Sequence, residues 1–198
     1  MHPTNPVNAY GQTKLMVEKI IRDWTNVVDD RKGIILRYFN PIGAHSSGLI
    51  GEEPSGIPNN LMPYIAHVAV GKQNKLKIFG DNYFTKDGTG SRDYIHVVDL
   101  AKAHIKTIEK KLNSFEILNI GRGEGVTVME LLKTFEEVSG KAINFDIVNR
   151  RDGDLSEFWA DASLASNLLD WEPNLTIHQM CEDTWRWQRK NPNGYTNN

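Results

Sequence analysis

A single cysteine, Cys181, is all that the 198 residues contain, so an intramolecular disulfide is excluded and a reducing cytoplasm is the expected setting. Charge of one sign is scarce as well. Against 25 Asp and Glu stand 23 Lys and Arg, a formal net charge of −2, which leaves no basic footprint for nucleic acid or an anionic membrane. No apolar run approaches the ~20 residues that span a bilayer. Residues 1–14 are polar and carry two prolines, unlike a secretory leader. The six histidines (His2, His45, His67, His96, His104, His178) are scattered without metal-ligand spacing, so no metal site is expected. Ahead of the first predicted helix there is also no glycine-rich loop to cradle a dinucleotide phosphate.

What is there begins with Asn8-Ala9-Tyr10-Gly11-Gln12-Thr13-Lys14. Asn8 is a good cap for a helix over about Ala9–Asn26, on which Tyr10, Lys14, Val17, Ile21 and Trp24 form one stripe. Tyr10 and Lys14, at i and i+4, share a face. A free phenol has a pKa of about 10; a positive charge at about 4 Å, at an effective dielectric of about 20, supplies roughly 4 kcal/mol, or about three pKa units. That brings the phenol near the range of a general base for a sugar hydroxyl. The same spacing also suits an ordinary helix with an unrelated Tyr and Lys, and at this level both readings stand.

The rest alternates strands and helices. Strands are expected at Gly33–Tyr38, Leu76–Phe79, Asp93–His96, Phe115–Ile120 and Ile143–Ile147, and helices near Asn60–Val70, from Val98, and over Thr127–Val138, Ala162–Leu169 and Ile177–Lys190. This order means α/β with parallel pairing. The strands 33–38 and 115–120 are nearly continuous apolar runs, the pattern of strands covered on both faces, and two such strands need neighbours. An irregular stretch from Asn40 to Pro58 is long enough to expect a function for it. Gly121-Arg122-Gly123-Glu124-Gly125 follows a strand and precedes a helix, but its spacing is wrong for G-x-G-x-x-G, so a plain strand-to-helix turn is expected. Asn191-Pro192-Asn193-Gly194 and the final residues read as a tail.

Three blocks are far more specific: Arg37-Tyr38-Phe39-Asn40-Pro41-Ile42-Gly43-Ala44, Gly56-Ile57-Pro58-Asn59-Asn60-Leu61-Met62-Pro63-Tyr64, and Asp87-Gly88-Thr89-Gly90-Ser91-Arg92-Asp93-Tyr94-Ile95-His96. With Arg150-Arg151-Asp152-Gly153-Asp154 and Trp185-Arg186-Trp187-Gln188, they make the chain resemble the UDP-glucose 4-epimerases, extended short-chain dehydrogenase/reductases, over almost its whole length. The resemblance implies a partial Rossmann-like, doubly wound parallel sheet plus a smaller C-terminal α/β domain. Residues 1–40 would be the remainder of the NAD-binding domain. Residues 41–198 would mainly bind the UDP-sugar, with 93–121 returning to the Rossmann sheet.

The same resemblance implies the roles. Tyr10 would be the catalytic base, with Lys14 holding the nicotinamide ribose and lowering the phenol pKa. Tyr38 and Phe39 would line the nicotinamide end of NAD. Asn40, Asn60 and Leu61 would touch the sugar diphosphate, and Leu76, Lys77, Ile78 and Phe79 would flank the uracil. Arg92 and Arg151 would bind the pyrophosphate and Asp154 the uridine ribose, consistent with the match of guanidinium to phosphate. Phe158 would stand beside the sugar, where a tyrosine or a smaller residue is usual. The implied reaction interconverts UDP-glucose and UDP-galactose through a 4-keto sugar, with NAD taking and returning hydride at C4. The implied partners are a UDP-hexose, a second copy in the full-length family, and an N-terminal complementing half bearing the dinucleotide loop and catalytic serine. A chain without that half would be inactive alone. The alternatives are a stand-alone UDP-sugar-binding module and a related sugar-nucleotide dehydratase or decarboxylase; Asn40-Pro41-Ile42-Gly43 and the Pro58–Pro63 block favour the epimerase.

Overall fold

The computed structural model of the chain describes residues 4–195, so His2 and the last three residues of the expected tail lie outside it. Helix α1 (Ala9–Asn26) forms where its cap and periodicity place it, with Asn8 Oδ1 accepting from the Gly11 amide at 2.8 Å. Its buried face differs from the expected stripe. Tyr10, Val17 and Trp24 are exposed, as are Met16, Ile20 and Val27. The face that packs carries Ile21 and Thr25, set against Gly33, and Glu18, whose carboxylate accepts from Arg37 at 2.6 and 2.5 Å. The ion pair and the close backbone approach at Gly33 therefore set how the helix is rotated.

Strand β1 (Gly33–Tyr38) pairs in parallel with β5 (Phe115–Ile120), from Gly33 opposite Phe115 to Tyr38 opposite Ile120. Alternation sends Ile34 and Leu36 to one side, where they meet a cluster of Leu118, Ile120, Ala103, Leu169 and Trp171. That cluster is covered by α3 (Val97–Glu109) and α5 (Ser163–Leu169). Gly33 and Arg37 face α1 on the other side. Both faces of β1 thus meet helices, but α1 covers its side narrowly, and Ile34, Ile35 and Leu36 stay only half-buried.

A second sheet is built around β4 (Ser91–His96). Strands β2 (Asn40–Ile42) and β8 (Glu157–Phe158) run parallel to it and β6 (Gly125–Thr127) antiparallel. Asn40–Ile42, expected as the start of an irregular stretch, is therefore a strand. Segments of two or three residues carry no periodicity of their own and become strands only through their partner. In the third sheet β3 (Leu76–Phe79) pairs in parallel with β7 (Phe145–Val148). The latter starts two residues later than expected because Ile143 turns into the core.

The larger core lies between α2 (Leu61–Ala69), α4 (Val128–Ser139), α6 (Ile177–Lys190) and β3. Met62, Ile65, Leu76, Ile78, Leu131, Leu132, Phe135 and Met180 are buried there, each stabilising by about 1.5–3 kcal/mol. Capping boxes, Thr127 with Glu130 and Thr176 with Gln179, start α4 and α6. Cys181 is fully buried in this core, and burial pushes its thiol up to about 12, so it is no nucleophile at neutral pH. Among the described residues no helix is long and apolar enough to cross a membrane. One part of the expected tail is fastened: the Tyr195 hydroxyl accepts from the Gly51 amide at 2.9 Å.

Candidate functional site

Over the first two turns of α1 the Lys14 Nζ lies 5.1 Å from the centre of the Tyr10 ring, the distance of a cation over a π face. Both side chains are exposed, Tyr10 by 71%. Tyr38 closes β1 with its ring 6.3 Å from that of His104, and half-buried Phe39 follows it. These positions are at the carboxyl end of a parallel strand, where open α/β sheets take their ligands.

A second constellation gathers on β3, β4 and the segment 150–158. Phe158 of β8 stacks on Phe39, with ring centres 5.0 Å apart and planes 25° from parallel. Register places Phe158 opposite Arg92 on β4. The Arg92 guanidinium donates to the Ser91 carbonyl at 2.7 Å and makes an ion pair with the Asp154 carboxylate. Asp154 also accepts from the Tyr83 hydroxyl at 3.5 Å. Burial raises the Tyr83 pKa, and the Asp154 charge adds to it against the opposing pull of Arg150 and Arg92. The Arg151 guanidinium lies 3.8 Å over the Phe79 ring. Arg150 lies 3.9 Å over the Tyr83 ring and donates to Asn82 Oδ1 at 2.6 Å.

Arg92, Asp154, Tyr83 and Arg150 are thus joined in one run of contacts, and the adjacent Arg151 stacks on Phe79. Such an arrangement can take a polyanion and an aromatic ring together. Arg150 and Tyr83 were not among the expected residues. The adjacent arginine pair was the available signal for Arg150, whereas the aromatic-cation contact of Tyr83 depends on a residue 67 positions away.

The remaining expected residues are placed as follows. Lys77 is exposed and Phe79 half-buried, but Leu76 and Ile78 point into the core at 3% and 1% exposure. Alternation along β3 makes this unavoidable, so those two can offer a ligand only backbone atoms, not flanking side chains. Asn40 donates its side-chain amide to the Asp93 carbonyl at 2.8 Å. Asn60 precedes α2 with its Nδ2 3.5 Å from a Glu52 carboxylate oxygen, and Leu61 leans half-buried against the core.

The Gly121–Gly125 segment leads through β6 into α4 and presents amides much as a phosphate loop does. Its occupant is internal: fully buried Asp93 accepts from the amides of Arg122 and Gly123, each at 2.9 Å, and from that of Ala160 at 3.1 Å. A dinucleotide pyrophosphate has no place there. The exposed Tyr10, Lys14 and Tyr38, with half-buried Phe39, suit a ribose and a flat ring, so the described residues fit one end of such a cofactor.

Residues 1–121 match the sequence model of the NAD dependent epimerase/dehydratase family. The chain is 53% identical over 195 residues to a UDP-glucose 4-epimerase of Bacillus subtilis, covering 98% of this chain and 58% of that protein. A UDP-glucose 4-epimerase from Bifidobacterium longum, solved in complex with NAD+ and UDP, superposes with a TM-score of 0.93 at 47% identity, over 98% of this chain and 58% of that one. One from Stenotrophomonas maltophila, with bound NAD and formylated UDP-arabinopyranose, does so with a TM-score of 0.87 at 49% identity, over 91% and 55%. The chain therefore spans under three-fifths of the length of these relatives.

Proposed function

Because this chain belongs to the NAD dependent epimerase/dehydratase family, we propose that it supplies the sugar-nucleotide-binding part and the general base of a UDP-glucose 4-epimerase. The complete polypeptide would interconvert UDP-glucose and UDP-galactose at C4. The observation that carries this reading is the linked set Arg92–Asp154–Tyr83–Arg150, with the next residue, Arg151, lying over Phe79. Arg92 and Arg151 bind the diphosphate, Asp154 accepts from the uridine ribose, and Phe79 with Lys77 and the β3 backbone meets the uracil. The carbonyl oxygen of the Asn40 side chain, the Asn60 amide group and Leu61 contact the sugar end, and Phe158 forms its wall.

Tyr10 takes the proton of the 4-hydroxyl and returns it, while Lys14, at i+4 on the same helix, stabilises the phenolate and holds the nicotinamide ribose. Tyr38 and Phe39 orient the nicotinamide ring. NAD held there would supply the hydride acceptor and donor for C4. The ligands in the two solved neighbours support the same ligand class. Residues 1–40, with 93–121, are assigned to the cofactor side and the rest to the sugar-nucleotide side, although within them only β1 and β5 share a sheet and β4 pairs with β2, β6 and β8.

The exposed apolar side chains of α1 and the open edge of β1 are surfaces that an N-terminal complementing half and a second copy would cover. The setting is the cytoplasm. Calorimetry tests the reading. The 198-residue chain co-expressed with the N-terminal part of the Bacillus relative should bind both UDP and NAD. The chain alone should not retain NAD, because its glycine turn is filled by Asp93. UDP binding without any NAD binding in the co-expressed pair would point to a UDP-sugar-binding module instead.

A further inference from the structure

Residues 43–60 join the end of β2 to the start of α2, and so connect Asn40 to Asn60, without helix or strand of their own. Behind part of this loop lies no packed core but a cavity of about 290 Å³, lined by Glu53, Pro54, Gly56, His67, Trp187 and Gly194 among others. An open, solvent-accessible pocket offers the loop little packing, so polar contacts must fix it. That task falls to α6 and the residues after it. Arg186 donates to the Ser46 carbonyl at 3.0 Å and Lys190 to the Ser47 carbonyl at 3.1 Å.

Tyr195 completes the attachment. Its hydroxyl accepts from the Gly51 amide at 2.9 Å and donates to the Gly51 carbonyl at 3.1 Å, and its own amide donates to Glu53 at 2.8 Å. The Tyr195 ring stands 5.5 Å from that of Trp187, which backs Gly51. Two glycines make the geometry possible. A Cβ on Gly51 would overlap the Trp187 ring, and Gly194, at φ +88°, would drive one into the Glu53 carboxylate. Between the two anchored residues stands Glu52, the carboxylate nearest the Asn60 side-chain amide.

We propose that Tyr195 is a positioning residue: it clamps Gly51 and Glu53 and, through Glu52, sets the orientation of Asn60 toward the sugar nucleotide. The clamp stands on the contacts above; its consequence for ligand rests on the function proposed for the site. The segment after α6 is then a part of the binding apparatus, 144 residues distant in sequence from the loop it holds.

Tyr195→Phe keeps the ring against Trp187 and removes only the hydroxyl, and Glu53→Ala removes the second anchor while Glu53→Gln keeps an acceptor. In the intact chain, Tyr195→Phe should speed hydrogen exchange of the Gly51 amide by roughly tenfold, the effect of one lost hydrogen bond. It should also shift the Asn60 side-chain amide resonance and, in the co-expressed pair, weaken UDP binding by about three- to tenfold, with circular dichroism unchanged. Glu53→Ala should act alike and Glu53→Gln mildly. Unchanged Gly51 exchange overturns the clamp, and altered exchange with an unmoved Asn60 resonance overturns the positioning. An unmutated co-expressed pair that binds no UDP overturns the proposed function instead, since exchange and resonance need no ligand. UDP binding that persists unweakened in Tyr195→Phe overturns the consequence for ligand.

Discussion

Arg92 on β4 and Asp154 on the turn after β7 hold one another as an ion pair, with side chains 21% and 31% exposed. A diphosphate that engages Arg92 therefore competes with a carboxylate for its charge. Arg92→Ala should weaken UDP binding by about 10–100-fold, the range for charge-assisted hydrogen bonds worth about 1.5–3 kcal/mol. Asp154→Asn separates the two terms. It should weaken UDP binding, through the ribose, yet strengthen binding of inorganic pyrophosphate, whose competitor for Arg92 is gone. Calorimetry with both ligands checks the opposite signs.

Phe158 rests flat on Phe39 and is 52% exposed, so one face of its ring is free to bound a sugar. A phenyl ring offers no hydrogen bond and fills space that an N-acetyl group would need. Overlap of that kind costs about 1–3 kcal/mol. In the complemented enzyme, Phe158→Cys should raise kcat/KM for UDP-N-acetylgalactosamine relative to UDP-galactose by at least about tenfold. Equal use of both sugars by the unmutated enzyme would contradict the wall.

His96 is fully buried, and its Nδ1 accepts from the Val98 amide at 3.0 Å. The neutral ring thus carries its proton on Nε2, 3.3 Å from Asp183, which also pairs with Arg186. Burial holds the His96 pKa below its ordinary 6.5 despite Asp183 and Asp99, and Lys102 pulls the same way as burial. Burial and Lys72 likewise lower His67. With the folded-state pKa depressed, the unfolded chain takes up more protons below 6.5, so stability is complete above that pH and falls beneath it. Thermal melts should show Tm decreasing from about pH 7.5 to about pH 5.5. In His96→Gln the decrease should be smaller, even though the variant starts less stable.

Asp93 gathers three backbone amides onto its two carboxylate oxygens, Arg122 on one and Gly123 with Ala160 on the other. Asp93→Asn leaves a single acceptor oxygen and presents an NH2 to a buried amide. Denaturant melts should show a loss of about 2–3 kcal/mol.

Much of this was legible in local sequence. Asn8 and the helical spacing after it placed α1, and the apolar run 33–38 placed β1. Rotation of α1 was not legible, because Glu18 is buried only by its ion pair with Arg37, 19 residues on. Strands β6 and β8 exist through β4 alone. Arg92, Arg151 and Asp154 were expected at the site from their motifs, and the structure joins Arg92 to Asp154. Leu76 and Ile78 were assigned to the ligand by block rather than by alternation, which sends both into the core. The carboxylate filling the Gly121–Gly125 turn and the tyrosine holding the 43–60 loop come from distant parts of the chain, where no spacing rule reaches.

Tyr10, beside Lys14, is the proposed base of an epimerase completed by an N-terminal half. The direct measurement is conversion of UDP-galactose to UDP-glucose by the chain co-expressed with the N-terminal part of the Bacillus relative. Activity is predicted in the purified pair, with Tyr10→Phe lowering kcat by at least the ~10²-fold typical of a lost general base and leaving UDP affinity unchanged. A pair that binds UDP and NAD yet converts nothing, or a Tyr10→Phe pair with full turnover, would contradict it.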